Sequence, residues 1–367
     1  MQDGGTTLPD HRQPTAWAAR CCRSAARRLH RPIRPWSFFF HVPPTDHLHR
    51  RGRRHGPELS AAAQGAAADY PNKPVRMIVP FPPGGGTDIL ARVVSNKLTE
   101  VSKWTVVPDN RAGAGGTIGI TEAAKAAPTG YDMVMGQKDN VVLGPYLYKN
   151  LPWNPVKDLV PVAHVAYTPI VIATSVNSPY KTLADIVAAA KQHPGKVTYG
   201  SPGNGTSIHL SGVLLEKAAG IQLVHVPYKG SNPALMDALA GNVDLLVSSV
   251  PSAIGQIKAG KLRAIAVTSA KRSSSLPDTP TLAESGLKGF DVSTWYGLFM
   301  PKGTPTAIVT KVNAEVNKLL AMPEVRDAIQ TQGAEPQSMT VADFDKMFQA
   351  DFKQSKQIVE SSGAKIE

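Results

Sequence analysis

From residue 75 to residue 268 the chain repeats one unit: a short apolar run, a turn rich in glycine or polar residues, then a stretch with apolar residues at helical spacing. Strands are predicted at 75–80, 105–108, 133–136, 160–168, 171–174, 197–200, 223–227, 243–248 and 262–268, and helices at 88–101, 118–127, 183–192, 208–219, 233–240 and 253–259. This alternation calls for mostly parallel sheets covered by helices, an α/β architecture, because parallel neighbours need a crossover between them. The roughly 300 residues from 69 onward exceed what one such core usually takes, so two lobes are expected. After a last apolar run at 295–301 the chain turns helical, through 305–322, 323–332 and 341–361, with no new strand. Helices without strands must cover an existing sheet, which puts both ends of this region in one lobe. The expectation is lobe 1 from 69–165 plus 295–367 and lobe 2 from 166–294. Two crossings, near 162–172 and 291–299, would form a hinge over a ligand cleft.

Two strand-to-helix turns are rich in glycine. The first runs through Pro80, Phe81, Pro82, Pro83, Gly84, Gly85, Gly86, Thr87 and Asp88. Three successive glycines leave backbone amides uncovered, and the helix start adds unpaired N–H groups and a positive dipole end. Phe81, Pro83, Gly84, Gly85, Gly86 and Thr87 are therefore candidate anion ligands, with Asp88 stiffening the loop rather than touching the ligand. The second turn holds Pro202, Gly203, Asn204, Gly205, Thr206 and Ser207, with His209 nearby. Gly203 and Gly205 permit amide-exposing conformations, while Thr206 and Ser207 can cap the helix and offer hydroxyls. Alone, this segment also suits an ordinary glycine turn; facing the first loop, it would bring two helix N-termini onto one anion. The remaining candidates sit at strand ends: Gln137, Asp139 and Asn140, then Tyr228 and Lys229, then Ser248 and Ser249. Each has a plainer reading, with Lys229 as surface decoration, Asp139 as a solvated charge or helix cap, and the serines as small residues that allow close packing.

Charge is unevenly placed. Residues 1–56 hold 11 arginines against three acidic residues, so they account for +8 of the formal +12, and both cysteines, Cys21 and Cys22, lie there. The +4 left to the remainder is no nucleic-acid signature. A cysteine-free region from 69 onward excludes a disulfide framework and a Cys-ligated metal within it. The alanine-rich stretch 60–68 reads as the end of an export signal cut before Asp69, but residues 36–40 are too short for its apolar core. Residues 1–68 are thus expected to be a disordered or misassigned leader containing the end of a signal peptide. No later stretch reaches the roughly 18–20 apolar residues of a membrane span. Catalytic signatures are absent: there is no Gly-x-Ser-x-Gly or His-Glu-x-x-His, and His164, His193, His209 and His225 lack ligand spacing. The 255–261 segment imitates a phosphate loop, yet Leu262 stands where Ser or Thr would hold magnesium, and the segment runs from helix to strand. The 113–119 segment misses the dinucleotide spacing by one residue. No cofactor and no metal are expected, and the enzymatic alternative, a hydrolase or transferase using Ser207 and His209, suffers from a spacing that points the two side chains apart.

Several motifs in order carry a family resemblance. Tyr70-Pro71-Asn72-Lys73-Pro74-Val75-Arg76, the 80–88 loop, Asn110-Arg111-Ala112-Gly113-Ala114-Gly115-Gly116, Leu147-Tyr148-Lys149-Asn150-Leu151-Pro152-Trp153, the 226–230 segment and Ala259-Gly260-Lys261-Leu262-Arg263-Ala264 together resemble the substrate-binding proteins of tripartite tricarboxylate transporters, the Bug family. The resemblance covers essentially all of 69–367. It implies a type II periplasmic-binding-protein fold, a periplasmic location in a Gram-negative-type envelope, a monomer, and delivery of a small organic carboxylate to membrane permease subunits. It also implies that residues 81–87 and 202–207 hold a carboxylate from both sides, partly through ordered water. Two positions depart from the family pattern. Ser248 stands where an acidic residue is frequent, and the loop Gln137-Lys138-Asp139-Asn140 replaces a common Thr or Ser with a His-Ala pair. Asp139 opposite a carboxylate cradle suits an amino acid or another ligand bearing a donor; a plain di- or tricarboxylate would lean on Lys138 or Lys229 instead. Within the binding class, the alternative is a sensor subunit that presents the ligand to a membrane kinase.

Overall fold

A computed structural model of the chain describes residues 69–148 and 150–362; the expected leader 1–68, with its two cysteines, and Lys149 lie outside the described residues. The strands are β1 (Val75–Val79), β2 (Val106–Asn110), β3 (Asp132–Gln137), β4 (Leu159–Ser175), β5 (Thr198–Ser201), β6 (Val224–Pro227), β7 (Leu245–Ser249), β8 (Leu262–Val267), β9 (Ser293–Pro301) and β10 (Glu335–Pro336). The α-helices are α1 (Gly86–Ser102), α2 (Thr117–Lys125), α3 (Gly144–Leu147), α4 (Pro155–Asp158), α5 (Leu183–Gln192), α6 (Ser207–Ala219), α7 (Ser231–Ala240), α8 (Val250–Lys258), α9 (Thr306–Ala321), α10 (Pro323–Thr331) and α11 (Val341–Ser362).

Two α/β lobes share one strand. In the first, β2-β1-β3-β9-β4 lie side by side, with β1 parallel to β2 and β3, and β9 antiparallel to both β3 and β4. In the second, β4-β7-β5-β6 continue the ladder and β8 pairs with β4. Side chains alternate between the faces of each sheet, as strand geometry requires. Met77, Val79, Met133, Met135, Leu298 and Met300 face α1, α9 and α10, whereas Ile78, Val134 and Phe299 face α2 and α11. In the second lobe Ile170 and Ile172 meet α5 and α6, while Val171 and Ala173 meet α7 and α8. Covering on both faces is why these strands read as continuous apolar runs instead of alternating ones.

The long β4 is where the sequence misleads. Pro169 breaks the apolar pattern and predicts two strands, yet the backbone runs unbroken from Leu159 to Ser175. Pro169 sits where β4 leaves β9 and joins β7: it pairs with Ser293, and Ile170 pairs with Ser249. A proline costs a ladder little at the point where one partner gives way to another. Thr268 fastens this crossing to the return chain. Its amide donates to Ile170 O at 2.9 Å, its hydroxyl to Val292 O at 2.5 Å, and Val292 N donates back to Thr268 O at 2.9 Å. The tail region also departs from an all-helical reading, because Glu335 and Pro336 pair with Tyr167 and Ala166 of β4. A two-residue strand leaves no periodic signal to detect.

Candidate functional site

The end of β1 leads into a loop whose chain direction is set by local hydrogen bonds. Asp88 accepts from the Gly84 amide at 3.0 Å, from Asn110 Nδ2 at 2.9 Å and from Arg92, while the same Asn110 amide holds Phe81 O at 2.9 Å. Burial opposes ionisation of Asp88, but Arg92, Asn110 and the Gly84 amide outweigh it and hold the carboxyl below its usual range. Gly85 caps α1 without a side chain, and the first-turn amides of the helix have no acceptor within it. One of them crosses between the lobes: Gly86 N donates to Ser252 Oγ at 2.8 Å. A Cβ on Gly86 would stand 2.6 Å from Tyr296 Oη and 2.7 Å from Ser249 Oγ, so only glycine permits this approach.

The lobes meet around a cavity of about 10 Å³. Its walls are Phe81, Pro82, Gly85, Gly86 and Thr87 of the first loop, Gln137 and Asp139 beyond β3, Pro202 and Ile208 around the second loop, and Ser231, Ser249 and Tyr296. Four helices begin at or beside this wall: α1 at Gly86, α6 at Ser207, α7 at Ser231 and α8 at Val250. No lysine or arginine lines it. Partial positive charge at this place comes from backbone amides and helix dipoles, each worth about 0.3–1 kcal/mol toward an anion at exposed helix ends and up to about 2 kcal/mol when partly buried.

Opposite those donors stands an acceptor side. Thr87 Oγ1 donates to Gln137 Oε1 at 2.8 Å, and Gln137 Nε2 donates to Asp139 Oδ2 at 3.0 Å, which fixes the Gln137 amide in one orientation. Asp139 is 2 % exposed. Burial pushes its carboxyl up to about 6, against the pull of the Ser207 hydroxyl and amide, Lys138 and Thr294. Asp139, beyond the end of β3, thus lies near the start of α6, where Ser207 Oγ is buried without a hydrogen-bond partner among the described residues.

The second loop is folded onto itself. Gly203 N donates to Ser201 Oγ at 3.2 Å, Gly205 N donates to His209 Nδ1 at 3.1 Å, and Thr206 Oγ1 accepts from His209 N at 3.1 Å as the helix cap. His209 stacks on His225 at 4.0 Å, and His225 Nε2 lies 2.6 Å from Ser201 Oγ. Burial lowers both imidazoles, to about 4 for His209 and about 3 for His225, where His209 adds a further push. The histidine marked in the sequence as near the ligand thus props the loop from behind.

The sequence candidates fall into distinct places. Phe81, Gly85, Gly86, Thr87, Gln137, Asp139, Pro202 and Ser249 line the cavity, and Ser207 faces Asp139. Gly203, Asn204, Tyr228 and Lys229 line an adjoining groove of about 780 Å³, which shares Phe81, Pro82 and Pro202 with the cavity and is completed by residues 112–116, Tyr148 and Pro227. Pro83 and Gly84 are exposed and line neither wall, Thr206 and Gly205 hold the helix start, and Ser248 is buried in β7, paired with Val171 of β4. Asn140 accepts from Gln137 N at 3.0 Å and shapes the turn; Lys138 pairs with Asp351 at 3.2 Å. Sequence reasoning missed Tyr296, Ser231 and Ile208. Ser231 directly follows the marked Gly230 and starts a helix, which was a usable signal; Tyr296 is one aromatic in an apolar strand and carried none.

A family model described as "Tripartite tricarboxylate transporter family receptor" matches residues 90–364. BugT of Bordetella pertussis is 37% identical over 307 residues, which cover 83% of this chain and 94% of BugT. The chain belongs to the tripartite tricarboxylate transporter receptor family. Two solved structures share the receptor's fold along their full length. An R. palustris protein solved with adipate superposes with a TM-score of 0.79 at 32% identity over 81% of this chain, and MatC from Rhodopseudomonas palustris with bound malate superposes with 0.74 at 30% identity over 79%. Among the described residues of this receptor no helix is long and apolar enough to cross a membrane, and no group of three or more His, Cys, Asp or Glu could hold a metal ion.

Proposed function

We propose that this receptor captures a small organic carboxylate between its lobes in the periplasm and delivers it to the membrane subunits of a tripartite transporter. The observation that carries the reading is the convergence of four helix starts on one cavity with no cation in its wall. A carboxylate is the small anion that such amides match in charge and hydrogen bonding. The ligands held by the two R. palustris relatives, adipate and malate, support the same class. A cavity of about 10 Å³ has room for about one water, so a ligand of several carbons enters as the lobes part and extends toward the larger groove. The lobes would comprise 69–165 plus 295–367 and 166–294, with both boundaries falling on or beside the paired strands β4 and β9, about which they turn.

Thermal unfolding of the protein with millimolar panels of mono-, di- and tricarboxylates, aromatic acids and amino acids tests the proposal. A ligand at 100 times its dissociation constant raises stability by about 2.7 kcal/mol, a shift of several degrees. No shift with any carboxylate would sink it.

A further inference from the structure

The polar groups around the cavity are sorted by type, and the sorting says more than the presence of an anion seat. Around the cavity are the helix starts at Gly86, Ser231 and Val250, whose first-turn amides are donors, with Gly86 N already bonded to Ser252 Oγ. The Tyr296 hydroxyl, fully buried beside Gly86 and Ser249, has no hydrogen-bond partner among the described residues, as is true of Ser207 Oγ. From the first turn of α1 the Thr87–Gln137–Asp139 relay runs in one direction and ends on a carboxylate, which only accepts when ionised. Asp139 also stands close to the start of α6, where Ser207 Oγ is buried with no hydrogen-bond partner among the described residues. With the receptor's own carboxylate beside that helix start, a ligand carboxylate is favoured at the starts of α1, α7 and α8. A second carboxylate brought against Asp139 would meet like charge in a buried place. A hydroxyl or ammonium brought there would find an acceptor.

We propose that Asp139 is a specificity-determining residue that selects carboxylates carrying a hydrogen-bond donor, a hydroxyl or an ammonium group, on the carbon next to the carboxylate. This rests on the carboxylate reading of the same cavity and narrows it. It differs from the expectation that both glycine loops grip the ligand carboxylate, because the second loop spends its Gly203 and Gly205 amides on Ser201 and His209, and its helix start lies beside Asp139.

The test is isothermal titration of the full chain and of Asp139→Asn with matched acids that differ only at the carbon beside the carboxylate. The series are propionate, lactate and alanine; succinate, malate and aspartate; and 3-phenylpropionate, phenyllactate and phenylalanine. Within whichever series binds, a donor-bearing acid binds at least tenfold tighter than its unsubstituted parent, the size expected for one buried hydrogen bond to a charged group. The hydroxy and amino members tell which donor is preferred. In Asp139→Asn that ratio falls at least threefold while the unsubstituted acid keeps or gains affinity. A wild-type ratio below tenfold, or a ratio unchanged in Asp139→Asn, overturns the proposal while leaving carboxylate binding intact. If no acid in any series binds, the carboxylate reading fails and this one with it. Should the variant not fold, the wild-type ratios decide alone.

Discussion

The two glycine loops share a sequence style and a topological position, each ending a strand and opening a helix, yet their backbones are used in opposite ways. The first, around Gly84 to Thr87, is braced from behind by Asp88 and turns its helix start toward the other lobe, reaching Ser252. The second, around Gly203 to Ser207, closes on Ser201 and His209 of its own lobe. Glycine supplies the conformational freedom in both cases. Whether the freed amides are offered outward or consumed inside depends on acceptors that come from elsewhere in the chain, and these are what a local motif does not contain.

Breaking the outward loop should have the largest effect. Gly86→Val places carbon within 2.7 Å of Tyr296 Oη and Ser249 Oγ, which props the lobes apart; ligand affinity should fall about 100-fold or more, read by titration, with the fold retained by circular dichroism. Acid should act on the inward loop through His209 and His225 and on the first lobe through buried His164, which is lowered to about 4 as well. His209 and His225 titrate lower in the folded chain than in the unfolded one, so the unfolded state binds more protons from pH 6.5 down to about 4, and stability falls across that window as the pH falls. Asp139 titrates higher when folded, near 6, so it opposes the trend between about 3.8 and 6. A net loss of about 2 kcal/mol or more by pH 4.5 is expected in urea unfolding, and replacing both histidines by Phe should flatten the profile. A stability independent of pH across this range would contradict the neutral-histidine support of the second loop.

Smaller effects sharpen the contrast. Asp88→Ala removes the acceptor of Gly84, Asn110 and Arg92, and should cost about 1–2 kcal/mol in denaturant midpoints together with several-fold in ligand affinity. Gly205→Ala, at φ +74°, should cost about 1 kcal/mol of stability and leave affinity within a few-fold, because its amide serves His209 rather than the cavity. Lys229→Gln is the mildest. The side chain is exposed on the groove rim, so stability should stay within about 0.5 kcal/mol and any affinity loss should shrink with added salt.

Much of the lobe architecture was legible because parallel strands buried on both faces are continuous apolar runs, and the helices between them carry their own periodicity. The 75–79 strand and the helix after it were unmistakable for that reason. The continuity of β4 through Pro169 was not, since a proline reads as a break unless one knows that the neighbouring strand changes at that residue. Around the cavity, glycine and strand-end signals pointed to Gly85, Gly86, Thr87, Gln137, Asp139 and Pro202, which line it. Tyr296 reaches the cavity from an antiparallel strand that returns late in the chain, and no local pattern announces such a long-range approach. The role of His209 was likewise hidden, because its partner Gly205 is local but its stacking partner His225 lies on another strand.

The placement of β9 between β3 and β4 has a consequence for how the chain reaches its fold. Val134 waits for Phe299 to complete its ladder, and Ala163 waits for Leu298. Strands β5 to β8, by contrast, pair among themselves and with the end of β4, all within 170–267. As the chain emerges during synthesis the second lobe can therefore assemble early, whereas the first sheet stays open along its middle until residue 301 has emerged. Pairing across so long a loop is slow, and for that interval the flanks of β3 and β4 are an unfilled slot that a chaperone, or a neighbouring chain, can occupy.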